Sequence, residues 1–309
     1  MPAVQIMGEN SKANGKRAVF IRRTASTLGL WAVVGLAFAS RWAWAYVGLV
    51  GFLAILASVE YFQMLKAGGM KCFPRFGWLL AVVYSVVLYL FLLGFWGGGV
   101  PEWLDGAAIF VATAGAFTLQ LRHPIRGTEP LQAVASSLIG FVYLPFLFNF
   151  AARIVFAVPG EGEVPGAALL LWVIAVTKFT DMGAYIVGSA IGKHKMIPHV
   201  SPGKTWQGFG GAMFFALLAG CGLYAIFHKD MPGFATGLHV LGGWGAVVGL
   251  SLVLALLAVV GDLAESVVKR SLGIKDSGHM LPGIGGALDL IDSLCFTTPV
   301  LYFYLKWVG

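Results

Sequence analysis

Long apolar runs separated by short polar segments dominate the chain. Nine of these runs approach the roughly 20 residues that an α-helix needs to cross a bilayer. We therefore predict an all-α, polytopic membrane protein with about nine transmembrane helices. The first run is short, and the sixth is interrupted by Lys178 and Asp181. The runs lie near residues 25–40, 43–62, 78–97, 103–121, 132–152, 165–190, 207–227, 241–260 and 287–307.

Composition supports a membrane location. The 309 residues are 58% hydrophobic and only 11% charged, whereas a soluble domain has about 25% charged residues. A net charge of +7 does not indicate nucleic-acid binding, because basic residues in membrane proteins mark cytoplasmic loops. We predict one transmembrane domain, residues 25–309, after a basic cytoplasmic segment, residues 1–24. That segment mimics a signal peptide, but a second apolar run continues to Ala57, which favours a cytoplasmic start.

The distribution of basic residues predicts the orientation. With the N-terminus in the cytoplasm, sixteen lysines and arginines fall in cytoplasmic segments and four on the opposite side. This asymmetry satisfies the positive-inside rule. It also places two polar segments, Gly192–Gln207 and Gly261–Gly286, on the cytoplasmic face, where both can meet soluble substrates.

Carboxylates are concentrated in the segment Gly261–Ser293, which holds four of the seven aspartates between two uncharged runs. Asp262 and Glu265 are three residues apart, as are Asp289 and Asp292, so each pair shares a face if helical. Two helix ends can thus direct up to four carboxylates at one point. Mg²⁺ typically takes one or two carboxylates plus substrate phosphates. The pattern predicts a magnesium–nucleotide site.

Basic residues in the same segment suit phosphate binding. Lys269, Arg270 and Lys275 lie near the acids in sequence, and arginine and lysine are the usual phosphate-binding side chains. Two alternatives remain open. The acids and bases could pair into a structural polar plug, or the bases could be ordinary positive-inside residues.

The second polar segment begins within the sixth apolar run. Asp181 lies near the cytoplasmic half of an apolar span, where a charge requires a partner; Lys178, three residues earlier, is the simplest one. The loop Gly192–Gln207 mixes lysine, serine and threonine donors with glycine, as a triphosphate site would, although it is not a Walker loop. His194 and His199 are interpreted as loop or phosphate-proximal residues rather than metal ligands.

The polar residues occur in a characteristic order. The first motifs are Thr180-Asp181-x-Gly183-Ala184-Tyr185 and Ser201-Pro202-x-Lys204-Thr205-Trp206-x-Gly208. Later come Ser266-x-x-Lys269-Arg270, Lys275-Asp276-Ser277-Gly278, Leu281-Pro282-Gly283-x-Gly285-Gly286 and Asp289-x-x-Asp292-Ser293. Over residues 170–300 this order resembles the signature of the phosphatidate cytidylyltransferases, or CDP-diacylglycerol synthases. Ile284 and Leu290 depart from it, because the family usually has His and Arg there.

The resemblance implies an enzyme of phospholipid biosynthesis. It would be a multi-pass protein of the cell (inner, cytoplasmic) membrane that transfers CMP from CTP to phosphatidate, with the active site facing the cytoplasm. The implied cofactor is Mg²⁺ held by Asp262, Asp289 and Asp292, with room for a second, monovalent cation such as K⁺; a homodimer is compatible with the family. The implied catalytic residues are these three aspartates and Lys269. The implied substrate-binding residues are Asp181, Ser201, Lys204, Thr205, Arg270, Lys275 and Asp276.

Other functions remain as alternatives. Ile284 and Leu290 leave open a CTP-dependent transferase or kinase that acts on another lipid, such as an isoprenoid-chain phosphate. A catalytically lapsed homologue that serves as an assembly partner is a second alternative. A transporter is disfavoured, because the acids gather at one end of the predicted helices instead of following a path through the bilayer.

Overall fold

The computed structural model describes most of the predicted transmembrane domain. The described residues are 29, 32–97, 99–159, 162–229, 232, 234, 236–274, 278 and 285–308. The predicted basic segment 1–24, the predicted substrate-binding residues Lys275 and Asp276, and the sequence departure at Ile284 lie outside them.

Helices dominate the described part of the chain, which confirms the predicted fold class. In chain order they are α1 (32–40), α2 (Ala43–Ala67), α3 (Pro74–Leu92), α4 (Trp103–Gln120), α5 (Glu129–Phe141), α6 (Phe150–Val155), α7 (Ala167–Ile191), α8 (Trp206–Phe227), α9 (Trp244–Ser271) and α10 (Ala287–Val308). A π-helical turn, Val142–Phe146, joins α5 to α6, and a 3₁₀ turn, Leu238–Leu241, precedes α9.

Seven helical units in the described residues are long and apolar enough to cross a membrane. They are α2, α3, the continuous unit Glu129–Val155, α7, α8, α9 and α10. Helix α4 has 18 residues but is not among the seven, and the described part of α1 is shorter. The predicted runs therefore coincide with helices, while the count of nine spans stays a prediction.

A short β-hairpin interrupts the helices between α7 and α8, where the sequence indicated only a loop. Strand β1 (Lys195–Ile197) pairs antiparallel with β2 (Ser201–Thr205). The Gln207 side chain closes the hairpin, because its oxygen accepts hydrogen bonds from the N–H groups of Lys193 and His194, both at 3.2 Å. The hairpin is thereby fixed to the first turn of α8.

A partly buried ion pair lies at the opposite end of the bundle from the hairpin. Arg153 of α6 contacts Asp105 of α4 at 2.5 Å, and its guanidinium also donates to the hydroxyl of Tyr84 on α3 at 3.2 Å. A charge inside a helix bundle requires such partners. This pair ties three helices together away from the carboxylates of α9 and α10.

Helices α9 and α10 approach each other closely at Gly261. A Cβ atom placed on Gly261 would lie 2.8 Å from the Asp292 carbonyl oxygen and 2.8 Å from the Ser293 Cα. Only a residue without a side chain permits this separation of two backbones. One turn before Gly261 on α9, the Ala258 carbonyl accepts a hydrogen bond from the Ser293 hydroxyl at 3.1 Å. The contact sets Asp262, the residue after Gly261, opposite Asp292.

We predict that Gly261→Ala separates these helices, because the atoms it would meet are backbone atoms that cannot rotate away. The expected loss is about 1–3 kcal/mol in the free energy of unfolding, measured by denaturation in detergent. Gly249→Ala on the same helix is the control, since a Cβ there meets no atom within 4 Å. Equal stability of the two variants would contradict the close-approach argument.

Candidate functional site

Three carboxylates converge where α9 and α10 face each other. One oxygen from each of Asp262, Glu265 and Asp292 lies within 4.8 Å of the other two. Glu265 and Asp292 are 2% and 5% exposed, so their carboxyl groups are shielded from water. Oxygen ligands at this spacing suit a hard divalent cation. Carboxylates of α9 and α10 therefore meet at one point in the structure.

Lys269 connects this cluster to Asp289. Its ammonium nitrogen lies 2.7 Å from Glu265 Oε2 and 3.0 Å from Asp289 Oδ1. The other oxygen of Asp289 accepts the Gly286 N–H at 3.0 Å, because Asp289 lies in the first turn of α10, where backbone N–H groups lack helical partners. Asp289 therefore borders the three converging carboxylates and is linked to them through Lys269. The converging set includes Glu265, which was not among the predicted metal ligands.

Lys204 brings the hairpin to the carboxylates. It lies on β2, and its ammonium nitrogen is 2.7 Å from Asp262 Oδ2. The same nitrogen is 3.4 Å from the Val259 carbonyl oxygen on α9. A residue predicted from the loop motif therefore reaches one predicted from the later segment, although 58 positions separate them in the printed sequence.

A cavity of about 400 Å³ lies between α7, the hairpin and α9. Its volume falls within the range of roughly 300–1,000 Å³ typical of small-molecule sites. Its polar lining includes four of the predicted substrate-binding residues and one carboxylate of the cluster: Asp181, Ser201, Lys204, Thr205 and Asp262. One glycine each from α7, the hairpin and α8 contributes to the remaining wall.

Thr205 also has a structural role at this wall. Its hydroxyl oxygen accepts the Gly208 N–H at 3.1 Å, which makes Thr205 the N-cap of α8. The hydroxyl hydrogen remains able to donate to a ligand. The sequence motif around Thr205 thus combines the start of a helix with a cavity-lining position.

Lys178 and Asp181 lie between the cavity and α10. Their charged atoms are 3.8 Å apart, so the pairing expected from sequence is present but long. Lys178 makes a closer contact with the Leu290 carbonyl oxygen, at 3.1 Å. The described part of the site thus contains five carboxylates and three ammonium groups. They belong to Asp181, Asp262, Glu265, Asp289, Asp292, Lys178, Lys204 and Lys269. The excess of formal negative charge favours binding of a cation.

Arg270, a predicted substrate-binding residue, lies near the end of α9 beside the hairpin. Its guanidinium donates to the carbonyl oxygens of Val200, at 3.3 Å, and Ile274, at 3.4 Å. It is not among the residues that line the described cavity. In this arrangement Arg270 joins the turn of the hairpin to the end of α9.

Glu60 is a site-supporting residue that the chemical argument from sequence missed. It is 1% exposed, and its Oε2 accepts the Leu288 N–H of α10 at 2.9 Å. A carboxylate near a helix N-terminus is stabilised by the unpaired N–H groups and the helix dipole. Glu60 therefore fixes the turn that carries Asp289. An acid near the end of an otherwise apolar run was the available signal.

Comparison with known proteins shows similarity to cytidylyltransferases over nearly the whole chain. The sequence model of the cytidylyltransferase family matches residues 21–308. A protein of Brucella suis named phosphatidate cytidylyltransferase is 35% identical over 281 residues, covering 84% of this chain and 86% of that protein. One of Mycobacterium bovis with the same name is 30% identical over 288 residues, covering 87% and 81%. The uncharacterized protein YnbB of Escherichia coli is 29% identical over 268 residues, covering 85% and 80%.

We predict that Glu60→Ala destabilises the start of α10, because it removes the acceptor of a buried backbone N–H. The expected cost is about 1–3 kcal/mol in the free energy of unfolding, measured by denaturation in detergent. Glu60→Gln retains an oxygen acceptor and should lose less. Glu102→Ala, at an exposed position before α4, should change stability by no more than about 0.5 kcal/mol. A similar stability for Glu60→Ala and Glu102→Ala would refute the role of Glu60.

Proposed function

The chain belongs to the cytidylyltransferase family, and we propose from this premise that it transfers CMP from CTP to phosphatidate, giving CDP-diacylglycerol and pyrophosphate. One observation carries the proposal: a nucleotide-sized cavity has Lys204 and a converging carboxylate cluster on its wall. The two phosphatidate cytidylyltransferases from Brucella suis and Mycobacterium bovis align with 84% and 87% of the chain, and the family match over residues 21–308 contains every described site residue.

The proposed cofactor is Mg²⁺. The donor set fits this ion, because Asp262, Glu265 and Asp292 offer only carboxylate oxygens and these lie within 4.8 Å of one another. Asp289 remains a predicted ligand beside them. When bound, Mg²⁺ supplies charge neutralisation for the nucleotide phosphates and the pyrophosphate leaving group. A second, monovalent cation such as K⁺ and a homodimer remain expectations from the family resemblance.

The reaction needs no nucleophile from the protein. A phosphate oxygen of phosphatidate, already an anion, attacks the α-phosphorus of CTP. The new oxygen–phosphorus bond forms while the bond to the β-phosphate oxygen breaks, and pyrophosphate leaves with that electron pair. The protein then contributes through positioning and electrostatic stabilisation, as in phosphoryl transfer generally.

The basic side chains have distinct proposed roles. Lys204 lines the cavity and is oriented by Asp262, so it binds the nucleotide phosphates. Lys269 is held between Glu265 and Asp289, so it positions two carboxylates and offsets their repulsion. Arg270 supports the hairpin, while Asp181, Ser201 and Thr205 shape the cavity wall and orient the nucleotide.

We further propose that the site faces the cytoplasm from the cell membrane. The sixteen-to-four distribution of lysine and arginine supports this orientation. CTP is water-soluble and would reach the cavity from that side, whereas phosphatidate would arrive through the bilayer.

The direct test is turnover of the purified protein with CTP, Mg²⁺ and phosphatidate in mixed micelles, measuring pyrophosphate and CDP-lipid together. We expect both products in equal amounts. Asp262→Asn should lower kcat by about a hundredfold or more, because several kcal/mol of charge stabilisation is lost. Glu102→Gln, exposed on a distant loop, is the charge-matched control and should retain wild-type turnover.

Two results would overturn the assignment. Near-normal turnover of folded Asp262→Asn would remove the carboxylate cluster from the chemistry. Product formation only with another lipid acceptor, such as an isoprenoid-chain phosphate, would replace phosphatidate as the substrate.

Cysteine labelling tests the orientation. In a variant with serine at the three native cysteines, Gly203→Cys on the hairpin should be protected from a membrane-impermeant maleimide in intact cells. It should be labelled after the membrane is opened. Glu102→Cys, at the opposite end of the bundle, should react in intact cells. The reverse pattern would show that the site faces away from the cytoplasm.

A further inference from the structure

A second, apolar cleft runs along the bundle beside the carboxylates. It lies among α1, α2, α6, α7 and α10 and has a volume of about 120 Å³. Leu53, Ile174 and Leu290 in its wall are partly exposed, so the cleft is accessible from outside the bundle. Its volume is too small for a nucleotide-sized ligand. An apolar cleft in a helix bundle instead suits a hydrocarbon segment.

The cleft has a direction. On α7 its lining residues Leu170, Ile174 and Lys178 are four apart, so they form one stripe about 12 Å long. On α10 Leu290 and Thr298 are eight positions apart, as are Leu170 and Lys178 on α7. Both stripes lead away from the carboxylate cluster. The length of the stripe is comparable to half of a bilayer's hydrocarbon core, which is about 15 Å thick.

Lys178 is the charged residue among those that line the described cleft. Its ammonium nitrogen donates to the Leu290 carbonyl at 3.1 Å and lies 3.8 Å from Asp181 Oδ2. An ammonium group has three donors, so these contacts leave capacity for a ligand. Asp181 lines the nucleotide cavity. Lys178 therefore stands at the junction of a polar cavity and an apolar cleft.

We propose that Lys178 binds the phosphate of the lipid acceptor and that the cleft holds a segment of one of its acyl chains. This inference rests on the proposed function. A lipid phosphomonoester has the matching parts: an anionic head for the ammonium group and a chain for the apolar stripe. With its phosphate on Lys178, the acceptor lies beside Asp181 at the edge of the nucleotide cavity. The two substrates then approach the carboxylate cluster from different sides.

The first test separates the two substrates kinetically. Lys178→Gln should raise the apparent KM for phosphatidate about tenfold or more, because a charge-assisted contact is lost. The KM for CTP should stay within about twofold, since Lys178 does not line the described nucleotide cavity. Lys178→Arg retains the charge and should recover most of the lipid affinity. An equal rise in both KM values, or no change in the lipid KM, would overturn the role of Lys178.

The second test probes the cleft itself. Ile174→Trp fills the stripe and should raise the KM for long-chain phosphatidate while leaving that for a short-chain, soluble analogue unchanged. The matched control is Ile186→Trp, on the same helix but 43% exposed and outside the cleft lining. A general loss of stability would affect both chain lengths alike. The same chain-length response from both tryptophan variants would exclude the cleft.

A binding measurement keeps the inference testable without turnover. Phosphatidate with a photoreactive group on one acyl chain should label the wild-type protein within residues 170–178 or 290–298, and Lys178→Gln should reduce that labelling. Labelling confined to other helices would refute the inference. Specific labelling without CDP-lipid formation by the wild type would retain the lipid site and reject the proposed reaction.

Discussion

The site depends on the compensation of charge beside hydrocarbon. A lone ion in such surroundings is costly, and here each lysine of the site contacts carboxylate oxygens from one or two partners. Lys204 pairs with Asp262, and Lys269 with both Glu265 and Asp289. These pairs join α9, α10 and the hairpin, so the interactions that compensate the charges also position the side chains for chemistry. Carboxylates outnumber ammonium groups in the described part of the site, which supports the proposed cation.

Backbone packing makes this charge arrangement possible. Gly261 lets α9 approach α10 closely enough for Asp262 to face Asp292, and Glu60 reaches from α2 to hold the first turn of α10. Lys178 then links the carboxylate site to the apolar cleft through Leu290. An enzyme that joins a water-soluble nucleotide to a membrane lipid needs both environments at one point. The structure provides a polar cavity and an apolar cleft that meet at Lys178 and Asp181.

The sequence predicted the features that depend on local pattern. Apolar runs located the helices, and the three-residue spacing of Asp262 and Glu265 predicted a shared helical face. The sequence could not predict which acids converge, because the convergence depends on where α10 begins. Asp289 lies in the first turn of α10 and accepts a backbone N–H there. Contacts between distant residues were equally hidden. Glu60 accepts a hydrogen bond from the Leu288 N–H across 228 positions. Nothing in the sequence indicated that the Gln207 side chain closes a hairpin.

The most direct measurement of the central claim is electron paramagnetic resonance of the protein with Mn²⁺ in place of Mg²⁺ and CTP. The claim is that Asp262, Glu265 and Asp292 hold a divalent cation in contact with the nucleotide phosphates. The account predicts a bound Mn²⁺ signal with phosphorus hyperfine coupling that is lost in Asp292→Asn. A bound signal with unchanged coupling in Asp292→Asn would place the cation elsewhere and contradict the account.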